Sequence, residues 1–424
     1  MTIREEPAST GQRLLWFLER YRDRHGALNC PTLCRLRGAV DSAVVDSALS
    51  ALVERHEALR TTFTGKGREL TQAIGEPIPV RANVVDLSGR SDAASVAFQE
   101  VYRELRTPID ATVRPLRAVL WKLGDREAIL CLNVHNMLCD LWSSTILLED
   151  FAALLDGRDP EPVDWQFADF AAAERRYLAG PQGRRHREYW EARLAGLQTL
   201  ELPLKPLEAG VTGKRTSRSR TLGQPVSQQL AQLARDCHTT VFAVLLACFY
   251  VLLHRLSGQT DLSVASLFAN RSRRETQRTV GQLTNLLVLR SFCAPDDTFT
   301  ELVGRAHEAV VGAFTHQGMP YHLLRTKASG AGTPVDSVVF QAAAAPIERT
   351  ITAGDIAIEA LVPDVLSRFD LEFAVMPSAH DTAVRVFFTE QRLDPGTADA
   401  MLADYAEIAA AVAAAPGRRI RSLG

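Results

Sequence analysis

The stretch EAILCLNVHNMLCDLWSSTILLEDF, residues 127–151, constrains this chain more than any other. Residues 128–134 form a largely apolar run, short enough and apolar enough for a buried strand. Further on, Ile146, Leu147, Leu148, Phe151, Leu154 and Leu155 recur at helical spacing. His135, Asn136 and Asp140 fall between the two, at a strand-to-helix corner. Ser143 and Ser144 are the expected N-caps, because a short hydroxyl satisfies the free N–H groups of a first turn. Polar groups held between two buried elements are a candidate site. The alternative is that His135 and Asp140 only hydrogen-bond the corner in place, and spacing alone favours it.

With 424 residues the chain exceeds one ordinary core, so two domains are expected. Hydrophobic residues make up 46% and charged residues 23%, the balance of a globular protein. The net charge of −2, from 48 basic against 50 acidic residues, gives no basic excess for nucleic acid and no acidic disordered tail. The seven cysteines are odd in number and irregularly spaced. Cys30 and Cys34 have no second Cys/His pair nearby to complete a metal site, so no metal is expected. Several of the seven lie in apolar runs, which fits a reducing, cytoplasmic compartment. The polar start, MTIREEPAST, is no signal peptide. The longest apolar run, residues 241–253, is too short to cross a bilayer and reads as a buried helix, so no membrane is expected.

Periodicity predicts helices near residues 9–22, 41–57, 93–105, 167–179, 184–197, 226–236, 239–256, 298–316 and 397–414. Strands are predicted near 33–39, 116–121, 261–266, 335–341, 355–361, 369–376 and 383–388, with a hairpin or meander over 69–84. Helices and strands alternate throughout, so the fold class is α/β or α+β. Pro203, Pro206, Gly210 and Gly213 mark a break. The expected organisation is an N-terminal lobe over 1–180, a linker over 181–215 and a C-terminal lobe over 216–424.

A collinear series of motifs then carries a family resemblance. STGQRLLWFL, RHEALRTTF, DWQFADFAAAERRYL, VGQLTNLLVLR, HQGMPYHLL and SRFDLEF follow one another in order along nearly the whole chain. Each is weak alone, but their order is specific. The chain resembles the condensation domains of nonribosomal peptide synthetases, relatives of chloramphenicol acetyltransferase. That resemblance implies two acetyltransferase-like lobes in a V-shaped pseudo-dimer. It also implies a tunnel between them, where phosphopantetheine arms of carrier proteins meet. No cofactor is expected to be bound; substrates would arrive on the carrier's phosphopantetheine.

The family's active-site motif is His-His-x-x-x-Asp-Gly, and this chain has His135-Asn136-Met137-Leu138-Cys139-Asp140-Leu141. The first His and the Asp are kept. By resemblance the second His, here Asn136, would orient or deprotonate the acceptor amine, and Asp140 would form a structural ion pair with Arg290. A carboxamide has no useful basicity but can hydrogen-bond a nucleophile. Either condensation is slower and rests on positioning, or another base acts, with His135 and then Cys139 as candidates. Leu141 in place of Gly would narrow or close the acceptor side. Trp142 and Asn285 are further tunnel-lining candidates, with core packing and a turn or ladder contact as their respective alternatives. His316 reads as a helix C-terminal histidine whose charged form suits the dipole, and Arg368 with Asp370 as a structural pair.

The implied function is a free-standing condensation-like acyltransferase. It would join a carrier-bound acyl group to an amine or alcohol, with an acyl or peptidyl carrier protein in trans. The acceptor would be a small-molecule amine or a second carrier protein. The alternatives are a catalytically inactive condensation fold that recruits a tailoring enzyme or carrier protein, and a different reaction in the same tunnel.

Overall fold

The computed structural model describes residues 2–21, 28–206, 215–324, 333–342, 350–361, 369–378 and 381–423. The chain divides into two compact units, both of mixed helix and sheet. The first comprises Met1–Gly180, Ala269–Thr284 and Pro346–Val362; the second comprises Pro181–Phe268, Asn285–Ala345 and Pro363–Gly424. The expected lobe over 216–424 is therefore interrupted twice by segments that belong to the first unit. Sequence pattern cannot show this, because nothing local to either short segment says which unit it packs on.

In the first unit, Glu127–His135 lies inside a six-stranded sheet ordered Ile351–Ala353, Ile356–Ala360, Asn29–Arg37, Glu127–His135, Leu116–Gly124, Asn83–Asp86. It pairs antiparallel on both sides, Asn29 opposite His135 and Leu116 opposite Val134. Leu130, Leu132 and Val134 share one core with Val45, Leu49 and Leu52 of helix Ser42–Arg55 and with Ile146, Leu147 and Phe151 of helix Leu141–Leu155. On the other face, Asn133 donates to Glu104 at 2.9 Å and Trp121 to Glu100 at 2.8 Å, both on helix Ala93–Arg106. Cover on both faces explains why residues 128–132 of this strand are apolar without alternation.

The expected hairpin over 69–84 does not form. Thr71–Gly75 is the centre of a separate sheet, between Thr2–Pro7 and Thr61–Thr64. Asn83–Asp86 instead runs parallel to Leu116–Gly124 in the large sheet. Pro77 and Pro79 lie between them and can donate no ladder hydrogen bond.

The second unit has a six-stranded sheet ordered Asn285–Phe292, Asp261–Phe268, Val338–Ala342, Leu371–Met376, Ala383–Thr389, Arg215–Thr221. Ala243 to Leu253 are buried without interruption in helix Val241–Ser257, so the longest apolar run is a core helix. Gly258 ends it at φ 70°, the left-handed conformation glycine takes without penalty. Among the described residues no single helix is long and apolar enough to cross a membrane. The expected linker needs correction. Helix Pro181–Arg193 occupies its first part and belongs to the second unit, where Trp190, 1% exposed, donates to the His316 carbonyl at 3.1 Å. Arg215–Thr221, sequence RTSRSRT, is an edge strand without apolar alternation; its charges suit an edge.

Candidate functional site

The corner after Glu127–His135 is tied down by backbone bonds. His135 N–H donates to Pro115 O at 2.9 Å, Asn136 N–H to Leu28 O at 2.8 Å, and Leu138 N–H to His135 O at 2.8 Å. Fully buried Gln12, from the STGQ motif, donates to Met137 O at 3.1 Å and so fixes the corner from helix Thr10–Tyr21.

Asp140, not Ser143 or Ser144, caps helix Leu141–Leu155. Its Oδ1 accepts from Ser143 N–H at 2.9 Å and from the Ser143 hydroxyl at 2.7 Å. Its partner is Arg271, not Arg290. Arg271 Nη1 reaches Oδ2 at 2.8 Å and Nη2 reaches Oδ1 at 3.0 Å, a two-pronged pair with both side chains almost wholly buried. Oδ2 also accepts from Leu283 N–H at 3.1 Å, Thr284 N–H at 3.1 Å and the Thr284 hydroxyl at 3.0 Å. Burial pushes the carboxyl up, but the charge and hydrogen bonds of Arg271, with those of Ser143, outweigh it and hold it below the ordinary range. Ser143 Oγ also accepts from Gly281 N–H at 3.0 Å. Gly281 must be glycine, since a Cβ there would lie 1.9 Å from Phe167 Cδ2. So VGQLTN serves Asp140 through backbone N–H groups and the Thr284 hydroxyl, while Arg271 comes from the preceding loop.

Arg290 has another task. It pairs with Asp261 at 2.6 and 2.8 Å and donates to the carbonyls of Arg193 and Ala195 at 3.0 and 2.7 Å. It thereby caps the end of helix Pro181–Arg193, where unpaired carbonyls favour a cation.

His135 is fully buried, with both ring nitrogens engaged. Nδ1 accepts from Met137 N–H at 3.2 Å, so the proton sits on Nε2 and points at Glu19 Oε1, 3.0 Å away. No lone pair is left for a substrate, which removes His135 as the substitute base. Cys139 is removed too: it is fully buried, and burial pushes its thiol well above the ordinary range.

The remaining corner residues differ. Asn136 is half-buried, and its carboxamide has no hydrogen-bond partner among the described residues. Leu141 is 63% exposed and Trp142 49% exposed. Trp142 is thus no core residue, contrary to its packing alternative; its Nε1 donates to Gln277 O at 3.1 Å. Asn285 is buried instead of lining a cavity, and donates to Gln317 O at 2.7 Å and Met319 O at 2.9 Å. It ties HQGM to its own strand. His316 does cap helix Phe299–Thr315, but it stacks on Tyr189 at 3.7 Å. Burial and neighbouring His186 lower its pKa, so the neutral form is favoured and the expected dipole role fails. Arg368 lies outside the described residues; Asp370 pairs with Arg392 at 3.0 Å.

Sequence reasoning missed Arg271, Glu19 and the cluster beneath RHEALR. There, buried Asp150 accepts from His56 Nε2 at 2.8 Å and Arg55 Nε at 2.9 Å, and also meets Arg278. No spacing rule links these positions. Among the described residues no cluster of three or more His, Cys, Asp or Glu side chains could hold a metal ion.

Residues 3–424 match the condensation-domain family. The chain belongs to that family. It is 29% identical over 437 residues to one of the linear gramicidin synthase proteins of Brevibacillus parabrevis, covering 99% of this chain but 9% of that protein. It is 30% identical over 437 residues to phosphinothricin tripeptide synthetase PhsC of Streptomyces viridochromogenes, covering 98% of this chain and 40% of that protein. This condensation domain therefore spans only a fraction of its curated relatives. Among solved structures it is similar to the X-domain from teicoplanin biosynthesis, with TM-score 0.86, 25% identity and coverage of 100% of this chain and 98% of that one. That X-domain is also known in complex with OxyB. SgcC5 from Streptomyces globisporus aligns with TM-score 0.81 and 25% identity, covering 97% of this chain and all of that one. Within this condensation domain, the HNMLCDL corner holds one buried ion pair and one buried imidazole. Among its described groups, none combines solvent access with an unengaged basic atom.

Proposed function

We propose that this condensation domain serves nonribosomal peptide synthesis as a non-condensing module. It binds a substrate tethered to a carrier protein, supplied in trans, and holds it for a second, tailoring enzyme. One observation carries this reading: the HNMLCDL corner offers no base. His135 spends both nitrogens on Met137 and Glu19, Cys139 is a buried neutral thiol, and Asn136 is an amide. A general base is worth about two to four powers of ten in rate. The likeness to an X-domain that forms a complex with an Oxy protein supports the recruiting role. Seven unpaired thiols support a cytoplasmic setting.

The carboxamide of Asn136, without a hydrogen-bond partner among the described residues, favours a second reading: slow acyl transfer to an amine or alcohol by positioning alone. An unprotonated amine held in line with a thioester needs little proton abstraction. Intact-mass analysis separates the two. Acyl-loaded carrier protein and a panel of amines are incubated with the wild type, with Asn136→His, and with Asn136→His/Leu141→Gly. The first reading expects no transfer by the wild type, retained carrier binding, and transfer at most by the double variant. Turnover by the wild type overturns it in favour of the second. In that case Asn136→Ala should cost about two- to tenfold, the value of one neutral hydrogen bond. A loss beyond about a thousandfold would give Asn136 a direct chemical role.

A further inference from the structure

Helix Leu141–Leu155 opens in an unusual way. Asp140 already supplies its cap, so nothing in helix formation asks for large apolar residues at the next two positions. First turns ordinarily carry small polar or acidic residues. Yet Leu141 and Trp142 stand there 63% and 49% exposed, and neither joins the first unit's hydrophobic core.

Trp142 is exposed but not loose. Its indole N–H is held by Gln277 O at 3.1 Å, and the Arg271 guanidinium lies 5.9 Å from its ring centroid. Arg271 is itself locked by Asp140. An aromatic plane fixed in this way binds with little loss of side-chain entropy. Earlier in the same corner stands the Asn136 carboxamide, without a partner among the described residues, which can both donate and accept. Nearby, the Arg271 charge is spent on Asp140, and His135 is a neutral ring hydrogen-bonded to Glu19. The corner therefore combines an aromatic plane, a branched aliphatic group and an amide, with no free cation among the named groups.

We infer that Leu141 and Trp142 select a neutral, aromatic acyl or peptidyl group as the tethered substrate, with Asn136 pairing to its amide. The inference rests on the reading that this corner receives a carrier-bound chain, and goes beyond it by naming the chemical class. Trp142 stacks on the ring, Leu141 covers its edge, and an acidic side chain finds no free cation to offset its desolvation.

Isothermal titration with pantetheine thioesters of N-acetylphenylalanine, N-acetylalanine and N-acetylaspartate tests this. The phenylalanyl probe is expected to bind about tenfold tighter than the alanyl probe, and the aspartyl probe more weakly than either. Trp142→Ala and Leu141→Gly should each bring the phenylalanyl and alanyl affinities together. Trp142→Phe, which keeps an aromatic plane, should retain part of the preference and guards against misfolding of the alanine variant. Equal affinities in the wild type, an unchanged ratio in both variants, or no binding of any probe at millimolar concentration overturns the inference. Tight but unselective binding would sink the selectivity while leaving the non-condensing module intact. Wild-type amide formation in the mass assay would sink the module reading while leaving the selectivity measurable.

Discussion

Asp140 and Asp261 each meet an arginine, but in unlike surroundings. Asp140 and Arg271 have side chains 3% and 2% exposed, and the carboxylate also takes hydrogen bonds from Ser143, Leu283 and Thr284. Asp261 and Arg290 are 17% and 11% exposed and lie diagonally across two paired strands, with the spare guanidinium N–H groups closing a helix end. The first pair organises a corner from three separate stretches of chain. The second staples neighbours. The arginine that the family resemblance assigned to Asp140 is the stapling one. A buried charge takes whichever partner the fold delivers, and that partner need not sit in the best-matched motif.

Breaking the first pair is expected to have the largest effect. Asp140→Ala strands a buried guanidinium and uncaps a helix, so unfolding free energy should fall by about 3–5 kcal/mol, read by urea denaturation. An unchanged melting temperature would deny the pair its structural role. Acidification should weaken the same unit in two windows. The lowered Asp140 carboxyl contributes stability above its unfolded pKa of about 4, lost as pH falls through its lower folded value. His56 is lowered as well, burial outweighing Asp150, so stability falls as pH drops below about 6.5 and the unfolded imidazole takes its proton. His56→Gln should flatten the slope between about pH 6.5 and 5 in thermal melts; a slope that persists would assign it elsewhere.

Arg290→Ala sharpens the contrast. It should cost about 1–3 kcal/mol, less than Asp140→Ala, because Asp261 keeps some access to water. A cost equal to that of Asp140→Ala would erase the difference between the two pairs. Asn136→Ala should change stability by no more than about 0.5 kcal/mol, since its carboxamide bonds nothing among the described residues. A larger loss would make Asn136 part of the scaffold, not a contact for substrate.

The sequence by itself determined the elements around the corner. A nine-residue strand, Glu127–His135, followed by an amphipathic-to-buried helix, is written in local periodicity. The family was legible too, because the order of six motifs is a one-dimensional fact. So was the loss of basicity at Asn136, which depends on residue identity alone. Tertiary structure decided the rest. Where the His135 Nε2 proton goes depends on Glu19, 116 residues away. Asp140's choice of Arg271 over Arg290 depends on which segment returns to the first unit, 131 residues on. Exposure of Trp142, an aromatic residue for which core packing was the alternative, was equally out of reach. Periodicity encodes which face of an element is apolar; charge pairing, tautomer and exposure are set by what distant chain brings to that face, and no local window contains it.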